Sequence, residues 1–276
     1  NVMASADIAQ VVDGSKLIVL TLPTHAMRSV VKDLAGHLTL EMPIISLAKG
    51  LEVKSRLRMS EVVKQEIDEK FHNNVAILSG PNHAEEVAAK IPSATVIAAY
   101  DKDVARYLQS IFINSHFRVY INSDIVGVEL GGATKNVVAI AAGISDGLGF
   151  GDNTKAALIT RGLAEMTRLG VSRGADAKTF SGLSGLGDLV VTCTSKHSRN
   201  RGLGEALGKG ETFEEFKAKS SMVAEGANCC LALKELSKEV GVEMPINDAI
   251  RQVIYEHRPP LECVQDLMNR GARGED

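Results

Sequence analysis

The sequence predicts an α/β protein in which an incomplete, doubly wound sheet is followed by an all-helical C-terminal domain. Short apolar runs alternate with helix-like patterns over residues 1–122, which is typical of strands buried on both faces of a parallel sheet. Over residues 123–276 only helical spacing recurs. With 276 residues, of which 45% are hydrophobic and 24% charged, the chain has enough apolar surface for two domains.

The first domain contains five predicted strands and three predicted helices. The strands are expected at residues 16–23, 43–50, 74–81, 93–100 and 117–121, and the helices at residues 25–38, 59–71 and 103–112. Ligands of such sheets bind beyond the carboxyl ends of the strands. Because Pro23, Lys49 and Gly80 each follow a predicted strand, they mark a candidate binding edge.

The second domain is predicted to consist of helices alone. We expect them at residues 124–146, 152–169, 199–208, 222–240 and 245–256, with a short helix at the end of the chain. The first of these has an apolar stripe and almost no charge on its other faces. Since a helix that is apolar all round is usually buried, residues 124–146 are expected to form the core of this domain.

Lys135 is the exception on this buried helix, because it places an amine among small and apolar residues. It follows Gly131 and Gly132 by one turn, which leaves room for a close approach to the backbone. One interpretation is a lysine whose stem packs while its ammonium reaches water. The other is a catalytic lysine, since confinement lowers the pKa of an amine into a range useful for acid–base chemistry.

Three further segments depart from ordinary packing. Asp188 follows a glycine-dense loop and could cap a helix or serve a site. Residues 198–201 open a helix with two arginines, which is either a solvated turn or an anion site. Glu225 begins another helix, where ordinary capping also favours a glutamate.

The composition excludes several other classes of partner. A formal net charge of −3 gives no reason to expect nucleic acid or an anionic membrane. The four cysteines and seven histidines match no metal-ligand spacing and no disulfide framework, so we expect no metal and a reducing, cytoplasmic compartment. No uninterrupted apolar run reaches the ~20 residues of a membrane span, and we expect no integral membrane segment.

Six segments in register resemble the bacterial NAD(P)-dependent glycerol-3-phosphate dehydrogenases. They extend along essentially the whole chain, at residues 45–52 (ISLAKGLE), 78–87 (LSGPNHAEEV), 127–137 (GVELGGATKNV), 185–189 (GLGDL), 198–201 (SRNR) and 223–226 (VAEG). The resemblance implies a partial Rossmann-type dinucleotide-binding domain over residues 1–122 and a helical substrate-binding and catalytic domain over residues 123–276. It implies the reversible conversion of dihydroxyacetone phosphate to sn-glycerol 3-phosphate with NAD or NADP, supplying phospholipid synthesis.

The same resemblance implies a role for each matching residue. Lys135 would exchange the proton at the substrate's carbonyl oxygen. The implied substrate-binding residues are Lys49, Gly80, Asn82, Lys135, Asp188, Ser198, Arg199 and Asn200. The implied cofactor-binding residues are Lys49, Ala84, Arg199, Val223 and Glu225. A small phosphorylated substrate is the expected partner, and the apolar helix at 124–146 favours a homodimer.

The sequence leaves other assignments open. Another β-hydroxyacid-type dehydrogenase would also join a nucleotide-binding domain to a helical domain. The chain contains no Gly-x-Gly-x-x-Gly turn after a strand, and such a turn normally receives the cofactor's pyrophosphate. We therefore expect that the opening segment of this domain is missing, which also admits a non-catalytic fragment with impaired cofactor binding. The choice between NAD and NADP stays open for the same reason.

Overall fold

A computed structural model describes residues 2–219, 224–272 and 274, and it has a sheet of five strands followed by a helical domain. The strands are β1 (Ile18–Leu20), β2 (Ile44–Ser46), β3 (Val75–Ser79), β4 (Ser93–Ala99) and β5 (Phe117–Asn122). The helices of the first part are α1 (Ile8–Val12), α2 (Met27–Leu34), α3 (Met59–Glu66), α4 (Ala84–Ala88) and α5 (Lys102–Phe112). Those of the second part are α6 (Ile125–Gly147), α7 (Asp152–Ser172), α8 (Ala177–Phe180), α9 (Asp188–Thr194), α10 (Arg199–Gly208), α11 (Phe213–Lys219), α12 (Glu225–Glu239), α13 (Pro245–Tyr255) and α14 (Pro260–Met268).

The sheet confirms the predicted α/β class, with one pair of strands that the sequence analysis did not foresee. The strands lie in the order β1-β2-β3-β4-β5, and every neighbouring pair is parallel except β3 and β4. The connection between those two carries only α4, whose five residues span about 7.5 Å. After this short helix the chain returns beside β3 in the opposite direction, so that Ser79 pairs with Val96.

The predicted elements occur where periodicity is long and clear. The first four predicted strands are present but shorter, the fifth ends one residue later than predicted, and α10 begins and ends at the predicted residues. The short helices α8, α9 and α11 were not predicted, and a π-helical turn at Leu183–Gly187 links the first two. The predicted start of a helix at residue 222 lies outside the described residues. The last strand ends at Asn122 and α6 begins at Ile125, and the domain boundary near residue 122 stays a prediction.

Helix α6 forms the centre of the helical domain. Its residues are buried from Gly127 to Ser145, as its nearly uncharged faces predicted. By length and composition this helix could cross a membrane, but 94% of its most apolar window is buried inside the fold. The helix therefore serves as a core element here. Its surface is covered within the chain, so its apolar composition does not test the expected homodimer, which stays a prediction.

Glycines bring α6 and α10 unusually close together. A Cβ on Gly204 would overlap the carbonyl oxygen of Ile140, and a Cβ on Gly143 would overlap the carbonyl oxygen of Arg201. Each helix thus presents a glycine to the backbone of the other. This contact fixes the position of the turn that precedes α10.

We expect Gly204→Ala to lower the free energy of unfolding by about 1–3 kcal/mol, because the backbones must separate to admit a methyl group. Gly202→Ala is the matched control on the same helix, since nothing lies within 4 Å of its Cβ position. The free energy of unfolding of this control is expected to rise by up to about 1 kcal/mol, because alanine has a higher helix propensity than glycine. Denaturant unfolding of both variants measures the difference. Equal stabilities would contradict the close packing of α6 and α10.

Buried charge joins the sheet to the helical domain. Glu129 on α6 accepts hydrogen bonds from Arg58 (2.5 Å) and from the backbone N–H of Ser60 (2.8 Å) at the start of α3. Burial raises the pKa of Glu129, although Arg58 and Ser60 oppose that shift. Because an unpaired buried carboxylate would lower the stability of the fold, these contacts fix the position of α3 against α6.

The four cysteines are buried and form no disulfide. Burial raises the pKa of the Cys193 thiol to about 12, which keeps it protonated and unreactive at neutral pH. Within residues 2–219, 224–272 and 274, no group of three His, Cys, Asp or Glu residues could hold a metal ion.

Candidate active site

Lys135 lies in a buried cluster of charge with Asp188 and Lys49. Its Nζ donates to Oδ1 of Asp188 at 2.5 Å, while Nζ of Lys49 donates to Oδ2 at 2.8 Å. The side chains of Lys135 and Asp188 are 6% and 2% exposed, but that of Lys49 is 20% exposed. Solvent therefore reaches the cluster on the Lys49 side. Two ammonium groups and one carboxylate leave an excess of one positive charge, which suits an anionic ligand.

The local structure explains why Asp188 faces α6. The π-helical turn Leu183–Gly187 packs so closely that a Cβ on Gly131 would lie 2.7 Å from the carbonyl oxygen of Ser184. The next residue, Asp188, begins α9 and directs its carboxylate at Lys135. Thr192, one turn later on α9, accepts a second hydrogen bond from Lys135 at 2.7 Å. Asp188 thus holds the amine, and the capping interpretation gives way to this ion pair.

The pKa values of the pair move in the direction that acid–base chemistry requires. Burial lowers the pKa of Lys135 to about 8, even though Asp188 favours the ammonium form. Burial opposes ionisation of Asp188, but Lys135 and Lys49 outweigh it, so the pKa of Asp188 lies below its usual range. At neutral pH the carboxylate is therefore charged, while the lysine is poised to give up or take a proton.

Lys49, Gly80 and Asn82 meet at the carboxyl edge of β2 and β3. Nζ of Lys49 donates to the carbonyl oxygen of Gly80 at 2.9 Å and to Oδ1 of Asn82 at 3.1 Å. Gly80 has a φ of +145°, which a side chain rarely allows. The amide of Asn82 is fixed from the other side by Thr95, to which its Nδ2 donates at 3.2 Å. These contacts aim the Lys49 ammonium at Asp188.

The turn at residues 198–201 contacts the residue next to Lys135. Asn200 donates to Oδ1 of Asn136 at 3.0 Å, and Nδ2 of Asn136 donates to the carbonyl oxygen of Lys49 at 3.2 Å. Ser198 caps α10 by accepting from the backbone N–H of Arg201, so its hydroxyl hydrogen stays free to donate. The side chain of Arg199 is exposed at the start of α10. Hydrogen bonds thus link Asn200 through Asn136 to Lys49, whereas among the described residues none joins Ser198 or Arg199 to the charge cluster.

The residues expected to bind the cofactor are more scattered. Glu225 accepts hydrogen bonds from the backbone N–H (3.2 Å) and the hydroxyl (2.7 Å) of Thr24, just beyond β1. Ala84 is exposed at the first position of α4. Val223 lies outside the described residues. Glu225 therefore bonds to the other domain rather than to its own helix.

Sequence reasoning missed several residues of this site. Thr192 could have been found from its four-residue spacing to Asp188 on one helix face. Thr24 and Thr95 gave no signal, because their roles depend on contacts across the fold. His83 and His197 also lie here, with ring centroids 6.1 Å apart. Two surface depressions of about 280 and 490 Å³ lie elsewhere and are lined by none of the predicted site residues.

Comparison with known proteins decides the family. Two family models match, the C-terminus of NAD-dependent glycerol-3-phosphate dehydrogenase over residues 124–265 and its N-terminus over residues 1–105. The chain belongs to the NAD-dependent glycerol-3-phosphate dehydrogenase family. This membership supports the assignment as an oxidoreductase and gives no support to the other β-hydroxyacid-type dehydrogenases.

Individual relatives agree with the family assignment. A glycerol-3-phosphate dehydrogenase [NAD(P)+] of Exiguobacterium sp. is 46% identical over 100% of this chain and 81% of its own length. One from Syntrophotalea carbinolica is 49% identical over 98% of this chain and 81% of its own. The crystal structure of glycerol-3-phosphate dehydrogenase from Coxiella burnetii superposes with a TM-score of 0.91 at 37% identity, covering 96% of this chain and 81% of that one.

The edge of the sheet where β1, β2 and β3 end is the candidate binding site for the nicotinamide cofactor of this family. These three strands are parallel, so their carboxyl ends open on one side of the sheet. Lys49 stands at that edge and supplies positive charge next to Lys135. A Cβ on Gly50 would lie 2.7 Å from the Thr24 side chain, which shows how closely the edge packs beside Glu225.

Proposed function

We propose that the chain interconverts dihydroxyacetone phosphate and sn-glycerol 3-phosphate with NAD(P)H. The observation that supports this most directly is the pairing of the buried Lys135 amine with Asp188, beside a turn suited to phosphate. A ketone phosphate needs both features, a proton source at the carbonyl oxygen and an anion site for the phosphate on the neighbouring carbon. The matching family and the relatives carry the name glycerol-3-phosphate dehydrogenase, which agrees with this reaction.

In the proposed mechanism Lys135 carries the proton. During ketone reduction its ammonium donates to the oxygen on which negative charge develops, and during alcohol oxidation the neutral amine accepts that proton. Asp188 holds the amine in place, and Lys49 adds a second positive charge to the same buried cluster. The nicotinamide, when bound, supplies the hydride. Since the pKa of Lys135 is about 8, oxidation should accelerate and reduction should slow as the pH rises through 8.

The substrate contacts follow the hydrogen-bonded chain between the domains. We assign Gly80 and Asn82 to the substrate side of Lys49, and Ser198, Arg199 and Asn200 to the phosphate. Free backbone N–H groups at the start of α10 and the Arg199 guanidinium favour an anion there. For the cofactor we assign Lys49, Ala84, Arg199 and Glu225, together with Val223 outside the described residues.

Arg199→Ala is expected to raise the KM for dihydroxyacetone phosphate by roughly 10–100-fold, because a charge-assisted hydrogen bond to phosphate is lost. The rate with dihydroxyacetone, which lacks the phosphate, should change little. Arg106→Ala is a matched control, since Arg106 is an exposed arginine on α5 that pairs with Asp103. Steady-state kinetics with both substrates measures the effect. An equal loss with dihydroxyacetone would remove Arg199 from the phosphate site.

The state of the protein in the cell is part of the same proposal. Four buried, unpaired cysteines are compatible with a reducing cytosol. A homodimer remains our expectation for the assembly. Sedimentation of the purified protein decides between monomer and dimer.

A further inference from the structure

His83 has a buried polar atom that the contacts described so far do not satisfy. It lies on the loop between β3 and α4, directly after Asn82, and its ring is half-buried. Its Nε2 is inaccessible to solvent and has no hydrogen-bond partner among residues 2–219, 224–272 and 274. Buried ring nitrogens in native proteins are normally paired. This atom therefore indicates a partner that the protein itself does not supply.

The charges around His83 are those of the reaction cluster. Lys135 on α6, Asp188 on α9 and Lys49 after β2 all act on the ring, as does Glu85 on α4. Burial first, and then the Lys135 ammonium, lower the pKa of His83 below its usual range. The free ring is therefore neutral at neutral pH, with one N–H group and one lone pair.

The other side of His83 faces the turn that leads into α10. The ring of His197 lies 6.1 Å away at an angle of 53°, and His197 is exposed. The next residue is Ser198, which caps α10 and keeps a free hydroxyl hydrogen. His83 thus lies near both the charge cluster of Lys135 and the residue that precedes the turn at residues 198–200. A phosphorylated ligand that reaches both places can contact this ring.

We propose that the half-buried ring of His83 turns when the substrate binds and donates a hydrogen bond from Nε2 to the phosphate group, opposite the turn at residues 198–200. This inference rests on the proposed function, since it takes the phosphate of that substrate as the ligand. Phosphate offers several acceptor oxygens, and the donors at the start of α10 approach it from one side only. His83 supplies a donor from the sheet domain, so that the phosphate is held by both domains at once.

Phosphate binding should also change the protonation of His83. A phosphate dianion beside the ring stabilises the imidazolium form, which raises the pKa of His83 on binding. Lys135 and Lys49 oppose this rise, while Asp188 and Glu85 favour it. Binding of the phosphate group is therefore accompanied by proton uptake, and affinity increases as the pH falls through the pKa of the complex.

The kinetic test compares His83→Phe with His83→Gln. Phenylalanine keeps the ring against His197 but removes the donor, so the KM for dihydroxyacetone phosphate should rise about tenfold while kcat and the KM for NADH change less than threefold. Glutamine restores a donor and should recover most of that loss. His116→Phe, at an exposed histidine before β5, is the matched control. An unchanged KM in His83→Phe, or an equal rise with dihydroxyacetone, would overturn the proposal.

A binding test separates this inference from the proposed function. Calorimetric titration of inorganic phosphate into the wild-type protein, in two buffers of different ionisation enthalpy near pH 7, reports proton uptake without turnover. We expect equal proton uptake in the wild type and in His116→Phe, and a smaller uptake in His83→Phe, because Lys135 and the phosphate itself still exchange protons. Uptake in His83→Phe equal to that of the wild type refutes the role of His83 whatever the activity. Absence of turnover of dihydroxyacetone phosphate by the wild type would instead refute the proposed function.

Discussion

Replacing Lys135 with methionine is expected to lower kcat for dihydroxyacetone phosphate by at least ~10²-fold, because the developing alkoxide loses its proton donor. Methionine keeps the length of the side chain in a site that is almost fully buried. The wild-type rate of glycerol phosphate oxidation should rise with pH around 8, where the lysine becomes neutral. This inflection should disappear from the residual activity of the variant. Steady-state rates between pH 6 and 10 in both directions measure the two effects.

The control for that variant is Lys238→Met, which removes a lysine whose side chain is 60% exposed. Its rates should match the wild type. Thermal unfolding of both proteins checks that the loss does not come from misfolding, since Asp188 keeps Lys49 as a partner. A folded Lys135→Met enzyme with nearly normal kcat would remove the lysine from the mechanism.

Asp188→Asn is the second change with a large expected effect. Burial lowers the pKa of Lys135, and Asp188 is the strongest influence in the other direction. Without that carboxylate the pKa should fall by roughly 1–3 units below about 8. Most of the lysine is then neutral at pH 7, so ketone reduction should fall by tenfold or more. The pH at which the rate of alcohol oxidation rises should decrease together with the pKa of Lys135.

The pH profiles of kcat in the two directions test this shift. Asp103→Asn is the matched control, because Asp103 is an exposed carboxylate with only a surface partner on α5. A lower rate with an unmoved profile would show that Asp188 positions the substrate but does not set the pKa of Lys135. The thermal stability of Asp188→Asn should also be measured by calorimetry, because this variant leaves the two ammonium groups near one another without their carboxylate.

Much of the fold followed from the periodicity of the sequence. The uncharged faces of residues 124–146 predicted the buried helix α6, and a strand-like pattern predicted each strand of the sheet. The antiparallel pairing of β3 with β4 did not follow, because a connection with a five-residue helix looks in sequence like any other crossover. The direction of β4 relative to β3 is fixed by tertiary packing, which the alternation of strands and helices in the sequence does not report.

The site was predictable in part. Confinement on α6 made Lys135 a candidate, and the end of a predicted strand marked Lys49. Local patterns marked Asp188 and the turn at residues 198–201 without deciding their function, and the resemblance then gave each of them a role. The ion pairs that link them are contacts over 53 and 139 positions of sequence, which no local pattern encodes. The bond from Glu225 to Thr24 is of the same kind, and its helix-opening position suggested only a cap. Spacing identifies a side chain with unusual surroundings, whereas its partner is fixed by tertiary packing.

The burial of α6 also determines how this protein is inactivated by heat. Its 23 residues are as apolar as a lipid-spanning segment and stay out of water only while the neighbouring helices cover them. When heat separates those helices, the exposed segment associates with other chains faster than it can repack. The durability of the enzyme is then governed by the rate at which the helical domain first opens.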